Sequence, residues 1–162
     1  MERGQKVVFF DGGCLLCSKV VQWTHRCDKE RQIWYAALES EFAAEHRVAL
    51  GLPEPGAEAE TFAKTFAFWE PGNCGELGNC GDQGDGEVEG DSGSVSCKSE
   101  GALALMKALG GFWYGMAVLG SILPQSLRDS CYDFVARNRR DWFGPAEVCS
   151  LPSESLKEQI LP

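Results

Sequence analysis

Apolar positions along this chain recur with two periods, and the points where one period gives way to the other predict its elements. Lys6-Val7-Val8-Phe9-Phe10 is a short β-rich apolar run of the kind that fills a buried central strand. From Cys14 the spacing becomes helical. Leu16, Val20, Trp23 and Cys27 recur with Cys17, Val21 and Thr24 alongside, while Lys19, Gln22, His25, Arg26 and Asp28 fall elsewhere. That pattern predicts an amphipathic helix of about four turns. Residues 31–38 form a second strand, and 39–50 a second helix closed by Gly51 and by Pro53 beyond it. The opening therefore reads β-α-β-α, which implies parallel strands joined by a right-handed crossover.

Residues 65–69 predict a third strand. Residues 71–94 then hold eight glycines and six acids with no Lys or Arg, too little apolar surface to order itself. This stretch reads as a mobile insertion in a hairpin whose return strand is 94–98. Ser99 caps a helix over 100–109, ended by Gly110-Gly111. A short apolar helix over 112–123 and a longer amphipathic one over 124–142 follow. The latter places Leu127, Cys131, Phe134 and Val135 on one face and Arg128, Arg137, Arg139 and Arg140 on others. Residues 102–123 carry one charge, Lys107, but the glycine pair splits them into pieces shorter than the roughly 20 residues of a bilayer span. A buried helical hairpin is expected there, and membrane association is not.

Charge changes this picture only locally. The net charge is −9, but the acids of 71–94 account for most of it and leave −3 on the remaining 138 residues. A nearly neutral body lacks the basic stripe that nucleic-acid binding needs. At 162 residues the chain has the size of a single domain with a real core. Its eight cysteines fall below the density of small disulfide-stapled domains. The residues before the first strand lack the apolar core of a secretory signal. A reducing, cytoplasmic setting is the default expectation, or an organelle if a targeting segment has been removed.

The chemistry concentrates in Asp11-Gly12-Gly13-Cys14-Leu15-Leu16-Cys17, between the first strand and the first helix. Two cysteines three apart on a helix's first turn lie on one side and can close a small disulfide. The unpaired N–H groups of that turn and the positive end of the helix dipole favour a thiolate at Cys14. A strand running into C-x-x-C and then a helix reads as a thioredoxin-like redox site. The rival is half of a zinc site, which needs two further ligands. Cys74, Cys80, His25 and His46 are candidates, but none forms a second C-x-x-C. Ser18 after Cys17 removes the haem-attachment motif. Asp11 has two readings, a buried acid relaying the proton of Cys17 or a turn and cap residue before Gly-Gly. Gly12 and Gly13 are the permissive residues of the strand-to-helix turn. Cys74, Cys80 and Cys97 are expected as surface thiols, with Cys74 and Cys80 able to pair. Cys27 and Cys131 read as small core residues. Cys149 could be a further redox partner, and His25 and His46 fall on polar faces without a role.

The element order and these motifs resemble the DCC family of predicted thiol-disulfide oxidoreductases, named for an Asp-Cys-Cys signature. Asp11, Cys14 and Cys17 stand in that signature here. Ser99-Glu100-Gly101-Ala102-Leu103, Leu109-Gly110-Gly111, Leu123-Pro124-Gln125-Ser126-Leu127-Arg128-Asp129 and Tyr132-Asp133-Phe134-Val135-Ala136-Arg137-Asn138-Arg139 are similar to the family's later segments. So are Phe143-Gly144 and Cys149-Ser150-Leu151-Pro152. The resemblance spans nearly the whole chain apart from 71–94. It implies an α/β fold with a thioredoxin-like β-α-β-α-β-β-α core over residues 1–162 and a helical C-terminal extension over 112–142. It also implies thiol–disulfide exchange, with Cys14 attacking, Cys17 resolving and Asp11 assisting, and with no bound cofactor or metal. The substrate would be a protein or small-molecule disulfide, and the electron donor a dithiol or glutathione. The alternative is a zinc- or partner-binding module that uses the same cysteines without turnover. One departure stands out: thioredoxins place a cis-proline before the third strand, and this chain has Ala63-Lys64 there.

Overall fold

Strands β1 (Lys6–Phe10), β2 (Ile33–Ala37), β3 (Ala67–Pro71), β4 (Gly93–Cys97) and β5 (Ile160–Leu161) form one sheet in the order β4-β3-β1-β2-β5. The computed structural model describes residues 5–46, 66–71, 93–144 and 154–161. β1 pairs in parallel with β2 and antiparallel with β3, which in turn pairs antiparallel with β4. Helices α1 (Leu15–Cys27) and α2 (Glu41–Glu45) join β1 to β2 and follow β2, and α3 (Lys98–Leu109) follows β4. This is the thioredoxin-like α/β arrangement that the residue pattern predicts. α4 (Gly111–Ser121) and α5 (Gln125–Phe143) extend it, and α6 (Glu154–Lys157) leads into β5, which pairs in parallel with β2.

The strand period of two divides the core between the faces of the sheet. Val7 and Phe9 point to one side with Ala36, Ala67, Trp69 and Val95, where Ala43 of α2 packs. Val8 points to the other with Ile33, Tyr35 and Phe68, against Val21 of α1, Leu105 of α3 and Leu156 of α6. Phe9 and Phe68 are essentially fully buried, each contributing on the order of 1.5–3 kcal/mol of transfer free energy. With strands on both sides, β1 is held rigidly, and the turn that leaves it inherits that rigidity. α3 lies close on β4 because Gly101 permits it. A Cβ there would stand 2.5 Å from the Ser96 carbonyl oxygen.

Several expectations need correction. Ser99 does not cap α3. The helix starts two residues earlier than expected, at Lys98 after Cys97, and the Ser99 hydroxyl donates to the Asp129 carboxylate of α5. The hairpin of α3 and α4 is buried only on its α3 side. Leu105 packs against the sheet and Leu103 lies against Gly120 of α4, so α4 packs on α3 and leaves Phe112, Leu119 and Ile122 more than half exposed, with only Ala117 of α4 buried. Cys131 is exposed and Cys27 half-buried, so neither is a fully enclosed core residue. Cys97 is buried and disulfide-bonded rather than a surface thiol. α2 begins behind Ser40, whose Oγ accepts the Ala43 N–H at 3.1 Å. The remainder of that expected helix, residues 47–50, lies outside the described residues. So do residues 72–92 of the expected insertion, with Cys74 and Cys80, the segment 63–65, and Cys149. No helix among the described residues is long and apolar enough to cross a membrane.

Candidate active site

The site starts where β1 ends. Asp11 turns the chain, its carbonyl accepting the Cys14 N–H at 3.3 Å and its Oδ1 accepting the Gly13 N–H at 2.9 Å. A short polar side chain bonding to backbone two residues on is the usual device for such a turn. Cys14 then sits at the N-cap of α1 in an extended conformation (φ −109°, ψ 120°), and its carbonyl accepts the Ser18 N–H at 3.0 Å. Its thiol makes no capping hydrogen bond. Cys14 is fully buried, whereas Cys17, one turn along α1, is half-buried. Both are free thiols. The two are close enough to share a side-chain hydrogen bond.

The fourth member comes from α5. Arg139 Nη2 donates to Asp11 Oδ2 at 2.8 Å, and its Nη1 donates to Cys17 Sγ at 3.3 Å. Asp11 and Arg139 are 6% and 5% exposed, so this is a buried ion pair whose other branch reaches a sulfur. The planar fork of arginine makes that division possible, since one guanidinium can serve two acceptors at once. Asp11 is thus the turn residue that one reading expects, and it is buried as the other requires, with its second oxygen engaged by Arg139. One oxygen holds the turn, and the other holds Arg139.

Burial pushes the Cys17 thiol up to about 12, with the neighbouring Cys14 and the Asp11 carboxylate adding to the effect and Arg139 opposing it. A thiolate at Cys17 is thus costly at rest and is stabilised chiefly by the guanidinium. Beside it, α1, α3 and α5 enclose a cavity of about 280 Å³. Cys17 and Arg139 line it, and almost everything else on its wall is apolar.

Of the residues singled out in the sequence, Asp11, Cys14 and Cys17 converge here. Sequence spacing alone does not single out Arg139, because it lies 128 positions from Asp11 and falls off the face that carries Leu127, Cys131, Phe134 and Val135. A signal existed: Tyr132, Val135, Ala136 and Arg139 all line the cavity, an i, i+3, i+4, i+7 stripe in which an arginine closes an otherwise aromatic and aliphatic row. His25, expected on a polar face, is buried instead. Its Nε2 meets Arg31 Nη1 at 3.0 Å and Ser155 Oγ at 3.1 Å. His46 caps the end of α2 and packs on Phe42. Among the described residues, no group of three or more His, Cys, Asp or Glu side chains is arranged to hold a metal ion.

Comparison with known proteins bears on the same residues. The model of the family described as DCC1-like thiol-disulfide oxidoreductase matches residues 8–67, which include Asp11, Cys14 and Cys17. The chain is similar to the uncharacterized protein YuxK of Bacillus subtilis, 31% identical over 157 residues that cover 97% of this chain and 94% of that protein. It is also similar to a chloroplastic DCC family protein of Arabidopsis thaliana, 25% identical over 150 residues, or 93% of this chain and 72% of that one. No solved structure matches.

Proposed function

The chain belongs to the DCC1-like thiol-disulfide oxidoreductase family, and from that premise we propose that it exchanges disulfides through the Cys14–Cys17 dithiol. The observation that carries this reading is the guanidinium of Arg139 on the sulfur of Cys17, at the first turn of a helix whose cap is Cys14. Disulfide exchange needs one thiolate to attack and a second thiol held in reserve. Cys14 stands at the positive end of α1, which favours the attacking role. Cys17, with its proton held tightly, suits the resolving role. Arg139 stabilises the Cys17 thiolate when that proton leaves. Asp11 acts as a positioning residue, because a carboxylate engaged by a buried arginine is a poor base but a firm anchor. A reducing compartment fits a dithiol that must be regenerated; one relative carries a chloroplastic designation.

One observation favours the reverse order. Cys14 is completely covered, whereas Cys17 faces the cavity, so an incoming disulfide meets Cys17 first. The two orders part in a trapping experiment. Cys17→Ser and Cys14→Ser variants are each mixed with a disulfide under limiting conditions, and the covalent adduct is quantified. The variant that holds a lasting mixed disulfide retains the attacking thiol. If neither variant forms an adduct above the level of an unfolded control, the exchange reading fails.

A further inference from the structure

The cavity against Cys17 bears on which disulfide is exchanged. Its walls come from three helices and from β1: Leu16 and Val20 of α1, Met106 of α3, Val135 and Ala136 of α5, and Phe10. The polar groups that reach the wall are already committed within the protein. Tyr132 Oη accepts the Phe66 N–H at 2.9 Å. Arg139 is divided between Asp11 and Cys17, and the ion pair cancels its charge locally. Among the described residues, a ligand entering here finds apolar surface and the Cys17 sulfur, with no uncommitted charged side chain on the wall to pair with a carboxylate or an ammonium group. Burying such charged groups without partners is costly.

Size points the same way. An apolar protein cavity of about 150 Å³ accepts a benzene ring, so 280 Å³ holds a ring together with the short arm that carries its sulfur. The missing proline before the third strand removes from the sequence one feature by which thioredoxins hold a substrate chain.

We propose that this cavity is the substrate site, and that it takes a low-molecular-weight disulfide with an uncharged aromatic or branched-alkyl body in preference to glutathione disulfide. This rests on the exchange reading in the order in which Cys17, the cysteine that lines the cavity, bonds the substrate first. The attacking thiolate bonds to one sulfur of the substrate, the substrate S–S bond breaks, and the first thiol leaves with a proton. The second protein thiol then loses its proton and attacks the protein sulfur of the mixed disulfide, releasing the second thiol and closing the Cys14–Cys17 bond. Two electrons pass from the dithiol to the substrate at each turnover.

The test uses three alkyl disulfides of similar leaving group: bis(2-phenylethyl) disulfide, bis(2-hydroxyethyl) disulfide and glutathione disulfide. Each rate of oxidation of the reduced protein is divided by the rate with free dithiothreitol. The phenylethyl compound is expected to exceed glutathione disulfide by roughly tenfold or more, the discrimination an apolar pocket provides. Ala136→Phe, which fills the cavity, should lower that ratio at least fivefold, and Val20→Phe on the opposite wall repeats the test if the first variant does not fold. Equal or faster reaction of glutathione disulfide, or a ratio unmoved in the filled variants, overturns the proposal. If none of the three oxidises Cys14 and Cys17, the exchange reading itself has failed and this proposal falls with it.

Discussion

Asp11 and Arg139 lie 128 positions apart in the chain and form a 2.8 Å ion pair in which each residue is almost wholly shielded from water. The pair ties the turn after β1 to the last long helix and holds a guanidinium nitrogen 3.3 Å from Cys17 Sγ. It is both a clasp between distant segments and the electrostatic setting of a thiol.

Removing the cation tests both roles. Arg139→Leu leaves Asp11 as an uncompensated buried charge, a change that costs about 3–5 kcal/mol in comparable pairs. It also removes the one group that opposes the raised Cys17 pKa. Each unit of further rise lowers the thiolate fraction about tenfold, so the step that uses Cys17 should slow at neutral pH and recover as pH is raised. Arg139→Lys, a point charge that cannot fork, should fall between wild type and Leu. Chemical denaturation and a pH–rate profile of mixed-disulfide resolution check both effects.

Positioning and proton relay give different results for Asp11. Asp11→Asn keeps an oxygen for the Gly13 N–H, so the turn should persist. If Asp11 acts by holding Arg139, the Asn substitution slows resolution in the wild-type background and adds nothing in Arg139→Leu. A relay would lose rate in both backgrounds. A double-mutant cycle on the resolution rate separates them.

His25 supplies a stability test away from the chemistry. Burial, and then the adjacent Arg31 guanidinium, lower its pKa below the ordinary 6.5, and its buried Nδ1 has no hydrogen-bond partner. The unfolded chain therefore takes up this proton first as pH falls, and stability should be lost below about pH 6.5 and be fully present above it. The fall in melting temperature between about pH 7.5 and 5.5 should be larger in wild type than in His25→Gln. Equal falls would remove His25 from the account.

Gly101→Ala should destabilise the fold without touching the site's charges. The new methyl would meet the Ser96 carbonyl oxygen at 2.5 Å, and that oxygen is backbone, so α3 must lift from β4. Overpacking of this kind costs about 1–3 kcal/mol, measurable as a shift in denaturation midpoint.

How much of this is readable from the residues follows from what periodicity encodes. The strand before Asp11, the helix after Cys14 and the order β-α-β-α-β-β-α are local patterns, and each is present in the structure. With C-x-x-C after the first strand, that order is the thioredoxin-like arrangement. What periodicity does not encode is which face meets which neighbour. On α5 it favours Leu127, Cys131, Phe134 and Val135, all exposed and only Val135 among them reaching the cavity, while the inward stripe runs through Tyr132, Val135, Ala136 and Arg139. The apolar α4 reads as core, yet its place against the sheet is already taken by α3. α6 and β5, of four and two residues, are too short to leave a pattern, although Leu156 of α6 is buried against the sheet. Arg139 is legible only through its i, i+3, i+4 companions, and its partner at Asp11 only through the fold.

The central claim is that Cys14 and Cys17 form a redox couple, and the tryptic peptide of residues 7–19 reports on it directly, since it holds those two cysteines and no other. The reduced protein is treated with one equivalent of a disulfide, quenched by alkylation, digested and weighed. The account predicts that this peptide is recovered unalkylated and two hydrogens lighter than the dithiol, ahead of oxidation at Cys27, Cys97 or Cys131. Recovery of the peptide with both thiols alkylated, while other cysteines oxidise, would contradict it.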